Sequence, residues 1–324
     1  MSRREFKVRT SSLLYVGDWV TPQTDRLLYK KMTISIAEAI LQGSLKLRKA
    51  GVPEARREAG SLVAHALGQD RSFILTHAED PIADKQETQL NDWLQRRAGG
   101  EPLQYITGHQ EFFSLDFEVT REVLIPRPET ELLVETALKL ARDAADAPFI
   151  CDVGTGSGCV VVSLLHELRE NSGVRAVAID VSPAALEVAK RNAAHHAVSD
   201  RIEFVVSDCF LALNPNDPTR SLFDLIVSNP PYVTENALLG LQREVRDFEP
   251  KSALVAGPDG LAIIRRLLVE SVGFLKIGGH FLFEIGYDQR SAVEQLLDRK
   301  IWRLLDIYED LQGIPRTVAL QKLS

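Results

Sequence analysis

The stretch SNPPYV, Ser228–Val233, ends an apolar run, FDLIV, that reads as a buried strand. Proline has no N–H for a ladder and fixes its own φ, so two in succession take the chain out of a sheet along a stiff path. A carboxamide, Asn229, and an aromatic ring, Tyr232, are thereby held at a strand end with little freedom. Such a device suits a site that must grip a small planar group with hydrogen-bond acceptors on one side and a ring on the other.

Three earlier strand ends carry further chemistry. CDVGTGSGC, Cys151–Cys159, places Gly154, Gly156 and Gly158 between an expected strand and an expected helix, with Thr155 and Ser157 between them. Glycines there let a backbone approach a ligand closely. The spacing is G-x-G-x-G rather than the G-x-G-x-x-G of dinucleotide sites, so nicotinamide binding stays open but is not favoured. Asp180 ends the next expected strand, 22 residues after Gly158, where an acid can accept hydrogen bonds from both ribose hydroxyls. Ser182-Pro183 then reads as a helix N-cap and first turn. Asp208 ends the third strand, where a carboxylate could meet an exocyclic amine. Each acid alone could be a helix cap or a solvated loop residue; together with the glycine loop they fit a nucleoside lying across three strand ends.

The elements that must position these residues follow from periodicity. From about residue 148, strands are expected at FICDVG, VRAVAIDV, IEFVVSD, FDLIVSN, HFLFEIG, WRLLDIYEDL and RTVALQK, with helices between most of them. That alternation implies an α/β fold: a mostly parallel sheet, helices on both faces, ligands beyond the carboxyl ends of the strands. Residues 33–99 carry apolar residues at helical spacing, punctuated by Gly51, Pro53 and Gly68, and read as four or five short helices packed antiparallel. EFFSLDFEVTREVLIP, residues 111–126, alternates and predicts a β-hairpin; IPRPETE follows as a stiff link. The expected division is an extension at 1–31, a helical substrate-recognition domain at 32–102, a β-hairpin linker at 103–128 and a catalytic domain at 129–324.

Composition narrows the class. The net charge of −7 argues against a protein that lives on a nucleic-acid backbone, which a basic surface normally carries. Residues 1–31 depart from the rest with a net charge of +4, and an amphipathic helical pattern begins just after Met32; the stretch reads as a flexible tail or as lying upstream of a start at Met32. No apolar run approaches the length of a membrane span, and no secretory signal is evident. Three cysteines are too few for a disulfide framework or a zinc site, so reduced thiols and a cytoplasmic location are expected. None of the seven histidines stands in a metal or triad spacing, and no metal is expected. Cys151 and Cys159 read as small fillers; Glu284, ending FLFEIG, could face the site or serve structure alone.

DVGTGSG, AID, SD and NPPY in this order resemble a class I S-adenosylmethionine-dependent methyltransferase, and the tetrapeptide is similar to that of enzymes that methylate a planar, conjugated nitrogen. Further segments, EPLQYITGHQEFFSLDFEV, LIPRPETELLVE, EVRDFEPKSALVAGPDGL and DLQGIPRTV, resemble the HemK/PrmC protein-glutamine N5-methyltransferases from about residue 33 onward. The resemblance implies a Rossmann-like seven-stranded catalytic domain behind a small helical bundle. It implies S-adenosyl-L-methionine as cofactor, S-adenosyl-L-homocysteine as product, and the glutamine of the Gly-Gly-Gln motif of class I peptide chain release factors as substrate. By it, Gly154, Thr155, Gly156, Ser157 and Gly158 cradle the cofactor, Asp180 holds its ribose, and Asp208 with Cys209 flanks the adenine. Asn229, Pro230, Pro231 and Tyr232 receive the glutamine, Asn229 also lies near the cofactor, and Arg127 lines the mouth. Relatives often carry tryptophan where Cys209 stands, which leaves less stacking area here.

Three other readings compete. A glutamine of ribosomal protein L3 is the substrate of the close paralogue, but the linker here reads PRPETE rather than Pro-Arg-Ser-Pro. DNA adenine methylation would ask for a basic face and a target-recognition region that the sequence lacks. A non-catalytic cofactor-binding module would have no use for an intact tetrapeptide.

Overall fold

The computed structural model describes residues 33–143, 146–215 and 222–324. The expectations about residues 1–31 lie outside these.

The amino-terminal part is helical: α1 (Ile36–Lys49), α2 (Ala55–Leu67), α3 (Arg71–Thr76), α4 (Asp84–Ala98) and α5 (Leu103–Thr107). Ser35 starts α1 with a capping box: its hydroxyl accepts from Glu38 N at 3.2 Å while its own N–H donates to the Glu38 carboxylate at 2.9 Å. Leu47, Leu62, Leu90 and Leu94 close a separate small core, which Ile106 of α5 joins.

A hairpin follows, β1 (His109–Phe112) and β2 (Leu115–Glu118). It is shorter than the alternating pattern suggests. The chain reverses at Phe113-Ser114, both at positive φ, 52° and 60°, the backbone of a two-residue turn. Residues 119–125 then run without a strand; their apolar side chains Val119, Val123 and Ile125 are buried against Ala185 and Val188 instead.

The remaining elements are α6 (Glu131–Arg142), β3 (Phe149–Val153), α7 (Cys159–Glu167), β4 (Arg175–Asp180), α8 (Pro183–His195), β5 (Ile202–Val206), β6 (Phe223–Ser228), α9 (Glu235–Leu238), α10 (Arg243–Phe248), α11 (Ala262–Glu270), β7 (Leu275–Glu284), α12 (Arg290–Leu296), β8 (Trp302–Glu309) and β9 (Pro315–Lys322). They form one seven-stranded sheet in the order β5-β4-β3-β6-β7-β9-β8. The first five strands in this order run parallel; β9 is antiparallel to both β7 and β8. All seven expected strands are present, and β7 begins five residues before HFLFEIG.

Two apolar cores sandwich the sheet. One contains Leu133, Val161 and Leu164 of α6 and α7; the other contains Ile264, Leu267 and Phe283 under α11 and α12. Each fully buried Leu or Phe is worth about 1.5–3 kcal/mol over exposure. The strand order reverses between β3 and β6, so the loops after these two strands diverge and leave a crevice at the sheet's carboxyl edge.

Candidate active site

That crevice is a cleft of about 1110 Å³, counting the open solvent at its mouth. Its lining includes Gly154, Thr155, Gly156 and Ser157 from the β3 loop, Asp180 after β4, Asp208 and Cys209 after β5, and Asn229, Pro230 and Pro231 after β6, with Arg127 from the linker. Eleven residues singled out from sequence therefore meet in one place. Gly158 and Tyr232 are not among the lining residues.

The glycine loop is fixed from below. Gly154 N and Thr155 N both donate to Ile179 O, at 2.8 and 2.9 Å, which binds the loop to the end of β4. Thr155 Oγ1 donates to buried Asp152 at 2.7 Å. Burial pushes the Asp152 carboxyl up to about 7. Gly154 and Gly156 have φ of 76° and 55°, and a Cβ built on either would stand in open space rather than against protein. Gly158, φ 80°, serves a different end: it starts α7, and a Cβ there would lie 3.1 Å from Ala189 Cβ, so its lack of a side chain lets α7 and α8 approach.

Asp180 accepts from Gly156 N and from Ser182 N, both at 2.9 Å, so one carboxylate links the loop after β3 to the turn after β4. Ser182 caps α8, with its hydroxyl accepting from Ala185 N at 3.2 Å. Burial raises the Asp180 carboxyl above the usual range, against the lowering effect of these amides. Asp208 is half-exposed and paired with Arg266 of α11, Nη1 to Oδ1 2.8 Å; Arg266 also holds Glu270. One Asp208 oxygen is thus engaged by a residue 58 positions away in the chain. Cys209 is buried beside it at φ 49°, and burial pushes its thiol up to about 11.

The tetrapeptide is anchored on every side. Ser228 Oγ donates to Val153 O at 2.7 Å, tying the ends of β6 and β3 together. Asn229 Nδ2 donates to Thr130 Oγ1 at 2.9 Å, and Thr130 donates to Glu284 Oε2 at 2.6 Å. The Tyr232 hydroxyl donates to the other Glu284 oxygen at 3.1 Å. Glu284 is fully enclosed; burial raises it to about 7 despite its two donors. Gln289 Nε2 donates to Tyr232 O and to Gly260 O, each at 3.1 Å. Val233 N donates to Leu254 O at 2.8 Å as the segment leaves.

Arg127 is held by Glu249, Nη2 to Oε1 2.5 Å, and the second Glu249 oxygen accepts from Ile125 N at 3.3 Å. Glu249, half of the Glu-Pro pair in DFEPKSALV, is thus the brace that seats the linker at the cleft. Thr130, Gln289 and Gly260 went unnoticed in the sequence. Glu284 alone left a trace there, an acid closing an otherwise apolar strand. Among the described residues no cluster of three or more His, Cys, Asp or Glu is arranged to hold a metal ion, and no helix is long and apolar enough to cross a membrane.

A mostly parallel sheet with one antiparallel strand, β9, next to its edge, a glycine loop after the first strand, an acid after the second and an Asn-Pro-Pro-Tyr after the fourth parallel strand in the chain define a Rossmann-like methyltransferase. Residues 146–298 match the methyltransferase domain family, and residues 38–108 match the PrmC N-terminal domain. The hMettl16 catalytic domain, solved with a MAT2A 3′UTR hairpin, shares the fold at a TM-score of 0.51 and 18% identity, over 74% of this chain and 82% of that one. Similarity in sequence is much higher to the release factor glutamine methyltransferase of Koribacter versatilis, 41% identical over 85% of this chain and 94% of the relative. The enzyme of that name from Moorella thermoacetica is 41% identical over 87% and 94%. The chain belongs to the release factor glutamine methyltransferases.

Proposed function

We propose that this protein transfers a methyl group from S-adenosyl-L-methionine to the side-chain amide nitrogen of the Gly-Gly-Gln glutamine of class I peptide chain release factors, leaving S-adenosyl-L-homocysteine. The observation that carries the reading is the orientation of Asn229 in a chain of this family: its amide nitrogen is spent on Thr130, which leaves its carbonyl oxygen for a ligand in the cleft.

Two features support the cofactor assignment. The open space above Gly154 and Gly156 suits a ligand against bare backbone, and Asp180 keeps lone pairs for ribose hydroxyls beside the two amides that orient it. The cofactor supplies an electrophilic methyl on a sulfonium. The remaining work falls to the protein. An amide nitrogen has its lone pair delocalised and attacks poorly. Asn229 Oδ1 and the Pro230 carbonyl accept from its two N–H groups, turn the lone pair toward the methyl and favour the positive charge that grows on nitrogen. Tyr232, next to the lining prolines but not itself lining the cleft, is assigned to the glutamine's flat face by the family resemblance. Holding the two reactants in line is worth roughly 7–11 kcal/mol of barrier. Arg127, seated by Glu249, stands at the mouth where the rest of the substrate protein enters, and the helical domain gives it a surface to dock on. An enzyme with this substrate works in the cytoplasm, where translation ends.

Methyl-labelled S-adenosylmethionine offered in parallel with a full-length class I release factor, ribosomal protein L3 and duplex DNA tests the reading. Label on the release factor alone is expected. Label on either of the others instead would remove the substrate assignment, and bound cofactor without label on any would favour an interaction module.

A further inference from the structure

The three hydrogen bonds behind the tetrapeptide have a directional logic. A threonine hydroxyl can donate only one proton, and on its own it would accept from the amide nitrogen of Asn229 or donate to its oxygen equally well. Glu284 removes that freedom. Its carboxylate offers only acceptors when ionised, it is fully enclosed, and its Oε2 lies 2.6 Å from Thr130 Oγ1. With Glu284 ionised, the Thr130 proton is committed to it, and the hydroxyl then meets Asn229 only as an acceptor. Asn229 must present its NH₂ to Thr130, 2.9 Å away, and its oxygen to the opposite side. The other Glu284 oxygen takes the Tyr232 hydroxyl at 3.1 Å. One buried carboxylate thus faces both side chains of the tetrapeptide, reaching one directly and the other through a single hydroxyl.

We infer that Glu284 and Thr130 are positioning residues for the methyl transfer: they decide which end of the Asn229 carboxamide faces the cleft and seat the Tyr232 ring beside it. The inference rests on the methyl-transfer reading above. Neither residue touches the reacting atoms. Without the Thr130 hydroxyl the Asn229 amide is free to rotate, and its flipped form would present N–H donors to an amide nitrogen that needs acceptors.

The test uses the full chain with S-adenosylmethionine and a class I release factor, and the variants Thr130→Val, Thr130→Ser, Glu284→Gln and the Thr130→Val/Glu284→Gln double. Steady-state kcat and KM are measured beside cofactor affinity by calorimetry. Thr130→Val should lower kcat about 10- to 100-fold, the loss typical when a hydrogen-bond partner that orients a metal-ligating side chain is removed, applied here to an orienting partner of Asn229. Cofactor affinity should hold, and KM for the release factor should change far less than kcat, because the one contact affected is that of Asn229 with the reacting amide. Thr130→Ser, which keeps the hydroxyl, should recover most of the rate. The double variant should lose less than the product of the single losses, since both act along one chain. A wild-type kcat in Thr130→Val, no recovery in Thr130→Ser, or a rate that falls only in step with cofactor affinity overturns the inference. A wild-type enzyme that leaves the release factor unmethylated overturns the functional reading instead.

Discussion

Gly260 carries the sharpest structural demand near the site. A Cβ built there would lie 2.2 Å from the carbonyl oxygen of Tyr232, 3.1 Å from its carbonyl carbon and 2.8 Å from Gln289 Nε2, at a φ of 71°. Atoms do not approach so closely, so Gly260→Ala must push the tetrapeptide backbone away or break the Gln289 bonds that hold it. Gly278, at φ 78° with nothing within 4 Å of its built Cβ, is the natural control. Both substitutions carry the left-handed backbone penalty, about 1–2 kcal/mol. Only Gly260→Ala adds overpacking, about 1–3 kcal/mol, and strain on the two Gln289 bonds, each worth about 0.5–1.5 kcal/mol net. Urea unfolding should therefore find Gly260→Ala about 2–6 kcal/mol less stable than Gly278→Ala, from the sum of these contributions. At temperatures where both are folded, methyl transfer should fall in Gly260→Ala and stay near wild type in Gly278→Ala. Equal stability and equal rates would refute the close approach as the reason for this glycine.

Other consequences follow from the same contacts. Arg97 of α4 is buried between Glu58 and Glu244, so Arg97→Ala strands charge and should cost about 3–5 kcal/mol in urea unfolding, far more than an exposed pair such as Lys190–Glu187. Burial raises Glu284 above its unfolded value, with Arg316 opposing and Glu129 adding to the shift, so the folded state binds more protons between about 4.5 and 7 and loses stability as pH rises through that window. Glu284→Gln should gain on wild type in unfolding free energy as pH goes from 5 to 7; a difference that stays flat contradicts the raised carboxyl. The Cys209 thiol, pushed up to about 11, should react slowly with iodoacetamide at pH 8 and more slowly still with cofactor present, read by mass spectrometry; rapid alkylation would show it is not held as described.

Strand ends were readable because a buried parallel strand is an apolar run with an abrupt polar stop, and because glycine and proline mark such stops. That brought the β3 loop, Asp180, Asp208 and Asn229 to one edge without any structure. A glycine that lets two helices approach, as Gly158 does, looks the same in sequence as one that faces a ligand. The hairpin is shorter than its alternating pattern predicts because Val119, Val123 and Ile125 alternate like a strand while packing against a helix. Thr130 could not be read at all: it meets Asn229 across 99 residues and Glu284 across 154, and no local pattern encodes such pairings. The Arg266–Asp208 pair was hidden for the same reason, 58 residues apart.

The central claim is that Asn229 directs a methyl onto one glutamine. Tandem mass spectrometry of a class I release factor after incubation with the protein and S-adenosylmethionine tests it most directly, with Asn229→Ala run alongside. Losing one preorganised hydrogen-bonding group should slow the reaction about 10²–10³-fold. A single methyl on the side-chain amide of the Gly-Gly-Gln glutamine, formed by wild type and nearly absent with Asn229→Ala, is the predicted result. A methyl at any other residue, or one formed equally fast by Asn229→Ala, would contradict the account.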